Sequence, residues 1–141
     1  MNISQELDIL SCDLLESALD ALAEGMEFSV LISMEDEAGE KEIRCIDDDT
    51  LIACLDEAHD YITSLANTSD KDVLSPIRYA ICYPGTVETE ENPIADALIL
   101  EFGEKGMDVA YSAYSLVAGV GQGELFSWTD PLPAGEVELL V

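Results

Sequence analysis

From Ile77 onward the chain reads as a succession of strand-like segments: IRYAICY, IADALILEF, MDVAYSAYSLV, ELFSWT and a terminal EVELLV. Each is rich in β-branched, aromatic or other apolar residues, and turn-forming residues lie between them. The connections are too short for the helical crossovers that parallel strands require, so the segments are expected to pair antiparallel. Gly103-Glu104-Lys105-Gly106 reads as the turn of a hairpin, and TVETEENP, between Gly85 and Pro93, as a solvated loop rather than a domain linker.

The first part of the chain has a different period. Between Ser4 and Gly25, Leu7, Leu10, Leu14, Ala18, Ala21 and Leu22 recur at three- and four-residue spacings, which predicts an amphipathic helix ended by glycine. Its opposite side carries Glu6, Asp13 and Asp20 every seven residues, joined by Glu16 and Glu24. EFSVLISM and KEIRCI flank the turn-like EDEAGE and read as a second hairpin. A second helix follows from Asp48 or Asp49 to about Ala66, with an Asp expected at its N-cap.

Together these elements predict an α+β fold in the order α-β-β-α-β-β-β(-β). It consists of two layers, with two amphipathic helices packed on a mainly antiparallel sheet of about five to seven strands. At 141 residues the chain fits one domain, 1–141, and no internal repeat appears at a fixed period.

Charge limits what such a fold can bind. There are 31 acidic and 5 basic residues, a net of −26, yet 48% of the residues are apolar, so the chain can form a core that a disordered acidic tail could not. Residues 1–60 hold 18 acids and 2 bases, and residues 61–141 hold 13 and 3, which concentrates the negative charge toward the N-terminus. A field of this sign repels phosphates, and nucleic acid is not an expected partner. No segment approaches the ~18 apolar residues of a membrane span. The N-terminus shows neither a basic leader nor an unbroken apolar run, and a cytoplasmic location is expected. Cys12, Cys45, Cys54 and Cys82 form no C-x-x-C pair and read as reduced, mostly buried thiols.

Residues 56–60, DEAHD, resemble the Asp-Glu-Ala-His signature of a helicase family, in which a buried strand delivers an Asp and a Glu to magnesium and ATP. That chemistry also needs a G-x-x-x-x-G-K-[ST] phosphate loop, which is absent, and the stretch has helical rather than strand periodicity. No family resemblance follows from it. Asp56, His59 and Asp60, at i, i+3 and i+4, are weak metal candidates, because a catalytic zinc needs about three good ligands and His59 is the single histidine. Asp47-Asp48-Asp49 lacks the spacing of a calcium loop, and AGVGQGE does not open a helix as a dinucleotide loop would. No cofactor is expected. With one histidine and no G-x-S-x-G elbow, the balance leans away from an enzyme.

The expected function is that of a small acidic cytosolic interaction protein of the inhibitor, immunity, DNA-mimic or chaperone type. It would engage a basic protein through Glu6, Asp13, Glu16, Asp20, Glu24, Asp56 and Asp60. One alternative is a small-molecule-binding or enzymatic α+β domain whose acidity reflects its host, with a ligand surface at Tyr111, Tyr114 and Trp128. Another is a weak divalent-cation binder. Tyr79 and Tyr83 share a strand face with Ile77 and Ile81 and are expected in the core. The VELLV terminus is apolar enough to pair with a sheet edge in the same chain or in a neighbour, which leaves a homodimer open.

Overall fold

A computed structural model describes residues 3–70 and 72–141. Helix α1 (Gln5–Ala23) leads into strands β1 (Val30–Glu35) and β2 (Lys41–Ile46), followed by helix α2 (Leu51–Ala66). Strands β3 (Arg78–Val87), β4 (Ala95–Glu104) and β5 (Ala110–Ala118) come next, then β6 (Ser127–Trp128) and β7 (Leu132–Val137). The α+β class and the element order are those expected from the sequence.

All the strand pairs are antiparallel, in the order β2-β1-β3-β4-β5-β6, with β7 also alongside β5. Since β1 is antiparallel to both its neighbours, β2 and β3 point the same way with β1 between them. The chain must therefore cross over β1 to get from one to the other, and α2 makes that crossing.

The two helices lie on opposite faces, which refines the expected stacking: the sheet is the middle of the molecule. Alternation in β3 sends Ala80 and Cys82 to one side, where they meet Leu98, Leu100 and Phe102 of β4 and Leu7, Leu14, Ala18 and Leu22 of α1. Tyr79 and Ile81 point the other way, into a second cluster with Val30, Ile32 and Met34 of β1 and Cys54, Ala58 and Ile62 of α2. A central strand packed on both faces needs apolar residues at successive positions, and RYAICY supplies them.

Local chemistry sets the helix starts. The Ser4 hydroxyl accepts from the Leu7 amide at 3.1 Å and caps α1. At α2 the cap is Thr50, whose hydroxyl accepts from the Ala53 amide at 3.1 Å, in place of the expected aspartate. Thr50 stands immediately before the first helical residue, whereas Asp48 is two residues further out and accepts from the Asp49 amide.

Two further expectations are corrected. The last strand is Leu132–Val137, not EVELLV; beyond it the chain turns over the sheet, and Leu139, Leu140 and Val141 join the α2-side cluster. There the Tyr79 hydroxyl accepts from the Leu140 amide at 3.3 Å and donates to the Glu138 carbonyl at 3.4 Å. Of the four free thiols, Cys54 and Cys82 are buried, whereas Cys12 and Cys45 are exposed. Cys12 lies on the outer side of α1, and Cys45 lies on the part of β2 that α1 leaves bare.

Candidate functional site

Helix α1 presents its apolar stripe to the sheet, so its acidic side is turned to water. Glu6, Asp13, Glu16, Asp20 and Glu24 are all exposed along an element of 19 residues, roughly 28 Å at 1.5 Å per residue. Asp56 and Asp60 are also exposed, but they belong to α2 on the other face of the sheet. The seven carboxylates thus divide into a five-residue line and a separate pair. Among the described residues, none of the seven takes part in an ion pair; the paired carboxylates are Glu35, Glu42, Glu101 and Glu104.

His59 finds its partner outside its own helix. Its Nε2 lies 3.2 Å from Oε1 of Glu101 in β4, while the Tyr83 hydroxyl donates to Oε2 of the same carboxylate at 2.9 Å. The hydrogen bond to Glu101 holds the imidazole above its ordinary value of 6.5 despite partial burial, aided by the charges of Glu101, Asp56 and Asp60. Burial alone would raise Glu101, but the hydrogen bonds from His59 and Tyr83 outweigh it and keep the carboxyl below its ordinary 4.5. Burial, the Glu101 charge and the same hydrogen bond push the Tyr83 phenol upward. Both carboxylate oxygens are engaged, so the trio ties α2 to the sheet. Among the described residues no group of three or more His, Cys, Asp or Glu is placed to hold a metal ion, and Asp56, His59 and Asp60 do not converge on one.

The most connected ion cluster is built on residues that carry no expected binding role. Arg78 of β3 lies between Glu35 of β1 and Glu104 of β4, donating from Nε to Glu104 at 2.7 Å and from Nη1 to Glu35. Ser4, just ahead of α1, donates to Glu104 at 2.9 Å, and Lys41 Nζ stands 3.5 Å from Glu35. Burial disfavours the guanidinium charge, but the bonds to Glu104 and Glu35 more than compensate and raise Arg78 further. The two cations balance the two carboxylates, so the cluster fastens the start of α1 to the strands of the sheet.

The three aromatic residues of the expected ligand surface are not brought together. Tyr111 pairs with Phe102 and shares its face, with ring centroids 6.3 Å apart. Tyr114 pairs with Ile99 and belongs to the opposite face, because an odd step along a strand reverses direction. Trp128 is 56% exposed and stacks on Phe126 at 5.8 Å. Tyr79 is buried as expected, and Tyr83 is half-buried.

The glycine-rich connection serves packing. Gly119 has φ +76°, and a Cβ there would stand 2.6 Å from the Leu125 carbonyl oxygen. Gly121 donates its amide to the Leu22 carbonyl at 2.8 Å, against the end of α1. Beside this contact an open cleft of about 710 Å³ is lined by Leu22, Met26, Phe28, Pro84 and Val120 together with Glu27 and Asp47. Ser29 and Cys45 also line it, and the Ser29 hydroxyl donates to the Asp47 carboxylate at 3.2 Å.

Sequence reasoning missed Glu101, Tyr83 and Arg78 as partners in these networks. A signal for Glu101 was present in ALILEF, where two-residue alternation puts it with Ile99 and away from Leu100 and Phe102. No protein-family model, curated protein or solved structure matches the chain significantly.

Proposed function

We propose that the protein is a non-enzymatic interaction protein that binds the basic surface of a partner protein through the outer face of α1. The carrying observation is that Glu6, Asp13, Glu16, Asp20 and Glu24 are exposed along one helix, with no ion pair to any of them among the described residues. Opposed charges raise association rates and select partners, and a rigid helix anchored by a buried stripe holds those charges at fixed spacing. The α1 line replaces the seven-residue surface as the site, since Asp56 and Asp60 face elsewhere.

A reducing cytoplasm is the proposed setting, in keeping with four free thiols, two of them exposed. The partner's chemistry is that of a Lys- and Arg-rich surface, as on a nuclease, a nucleic-acid-binding protein or a secreted effector. The test is capture from the native cytosol at low salt, run in parallel with an Asp13→Asn/Glu16→Gln/Asp20→Asn variant and an Asp56→Asn/Asp60→Asn variant. A basic protein retained by wild type and the α2 variant, but lost from the α1 variant, supports the proposal. Recovery of no basic protein, or equal recovery by all three, counts against it.

A further inference from the structure

We propose that β2 is a self-association strand: two copies pair their β2 edges antiparallel about a two-fold axis at Ile43, joining their sheets. Among the described residues β2 is the outermost strand, paired with β1 alone through an unbroken register from Lys41↔Glu35 to Ile46↔Val30. Its outer edge therefore offers unpaired backbone groups to another strand. The opposite end of the sheet is blunted, because β7 contains Pro133 and Gly135, its register with β5 shifts at Ser112/Ala113, and β6 has two residues. β2 has none of these interruptions.

The side chains of β2 favour a second copy of this chain. Helix α1 packs on β1, β3 and β4 and leaves its side of β2 bare, where Ile43 is 67% exposed and Cys45 is exposed beside it. Lys41 and Arg44 against Glu42 give this strand a net charge of +1 in a chain of −26, so two copies meet here with less repulsion than at the acidic remainder of the surface.

Charge also selects the register. A two-fold axis perpendicular to the sheet must pass through a residue, so that side chains of the same face oppose one another. An axis through Glu42 sets carboxylate against carboxylate, and one through Arg44 sets guanidinium against guanidinium. An axis through Ile43 sets isoleucine against isoleucine and places each Glu42 opposite Arg44 of the second copy, twice. The two charges are already held on the α2 side of the strand. Within one copy Arg44 Nε is 3.7 Å from Glu42, the guanidinium lies 4.6 Å from the centre of the Tyr61 ring, and the Tyr61 hydroxyl donates to Glu42 at 2.7 Å.

The test is sedimentation equilibrium of the full chain without any partner, at about 0.15 M KCl so that long-range repulsion is screened. The proposal predicts a monomer–dimer equilibrium. Arg44→Glu alone and Glu42→Arg alone each weaken it about tenfold or more, and the double exchange Glu42→Arg/Arg44→Glu restores it to within about threefold. Circular dichroism of each variant checks the fold. In a Cys12→Ser/Cys45→Ser background, Ile43→Cys forms a disulfide-linked dimer on mild oxidation, because directly opposed residues of an antiparallel pair lie within disulfide reach. A chain that stays monomeric, a dimer indifferent to the charge exchanges, or a failure of Ile43→Cys to cross-link overturns the proposal. The readout is self-association, so its failure is separable from that of partner binding by α1.

Discussion

Nε2 of His59 in α2 lies 3.2 Å from Oε1 of Glu101 in β4, joining two residues 42 positions apart in the chain. The single histidine is thus a tether between a helix and the sheet, and its protonation bears on stability. A pKa raised in the folded state stabilises below the unfolded value of 6.5, and the effect fades as pH rises through the folded value. A lowered Glu101 stabilises above its unfolded value of 4.5, and the effect is lost as pH falls through the folded one. The pair therefore contributes most between pH 4.5 and 6.5. Because the His59 side chain is 36% exposed, solvent screening keeps the effect to about 1 kcal/mol or less. The melting-temperature gap between wild type and His59→Gln is expected to peak in that window and to shrink by about pH 8. Comparing the two proteins cancels the general titration of the surface acids, and a gap that stays constant with pH would contradict the tether.

Arg78 stands between two carboxylates, and its side chain is 13% exposed while that of Glu35 is 9% exposed. Replacing it with methionine leaves Glu104 without a cationic partner and Glu35 with the half-exposed Lys41 alone, both in partly buried positions, for which a loss of about 3–5 kcal/mol is expected. Arg78→Met combined with Glu35→Gln and Glu104→Gln should recover much of that loss, since the one charge left without its partner, Lys41, is half-exposed to water. Urea denaturation measures both, and a single variant within about 0.5 kcal/mol of wild type would show that the cluster is not structural.

The division of the core into two faces makes a prediction about coupling. Leu14 belongs to the α1-side cluster and Ile62 to the α2-side cluster, and both are almost fully buried. Truncating either to alanine should cost about 2–5 kcal/mol. As the sheet separates them and they share no cluster, the double variant should equal the sum of the singles to within about 0.5 kcal/mol. Strong non-additivity in urea melts would indicate that the two clusters behave as one.

Those clusters show what the sequence made legible. The period of Leu7, Leu14 and Ala18 points to α1, and apolar and aromatic runs bounded by turn residues point to β3, β4 and β5, because burial imposes each pattern directly on neighbouring residues. The partition of the helices between faces depends on the strand order, with β1 inserted between β2 and β3, and no local pattern encodes that. The exposed acids of α1 were readable for the same reason as its core. The partners of His59 and the burial of Arg78 were not, since both join residues from strands whose register is set by long-range pairing.

The central claim is that the exposed carboxylates of α1 bind a basic protein. Calorimetric titration of the captured partner into wild type and into Asp13→Asn/Glu16→Gln/Asp20→Asn tests it most directly, with each titration run at about 50 and 300 mM KCl. The expected result is a wild-type affinity that falls steeply with salt, and a variant about tenfold weaker or more at the lower concentration with a shallower salt dependence. Equal affinities for the two proteins at both salt concentrations would contradict it.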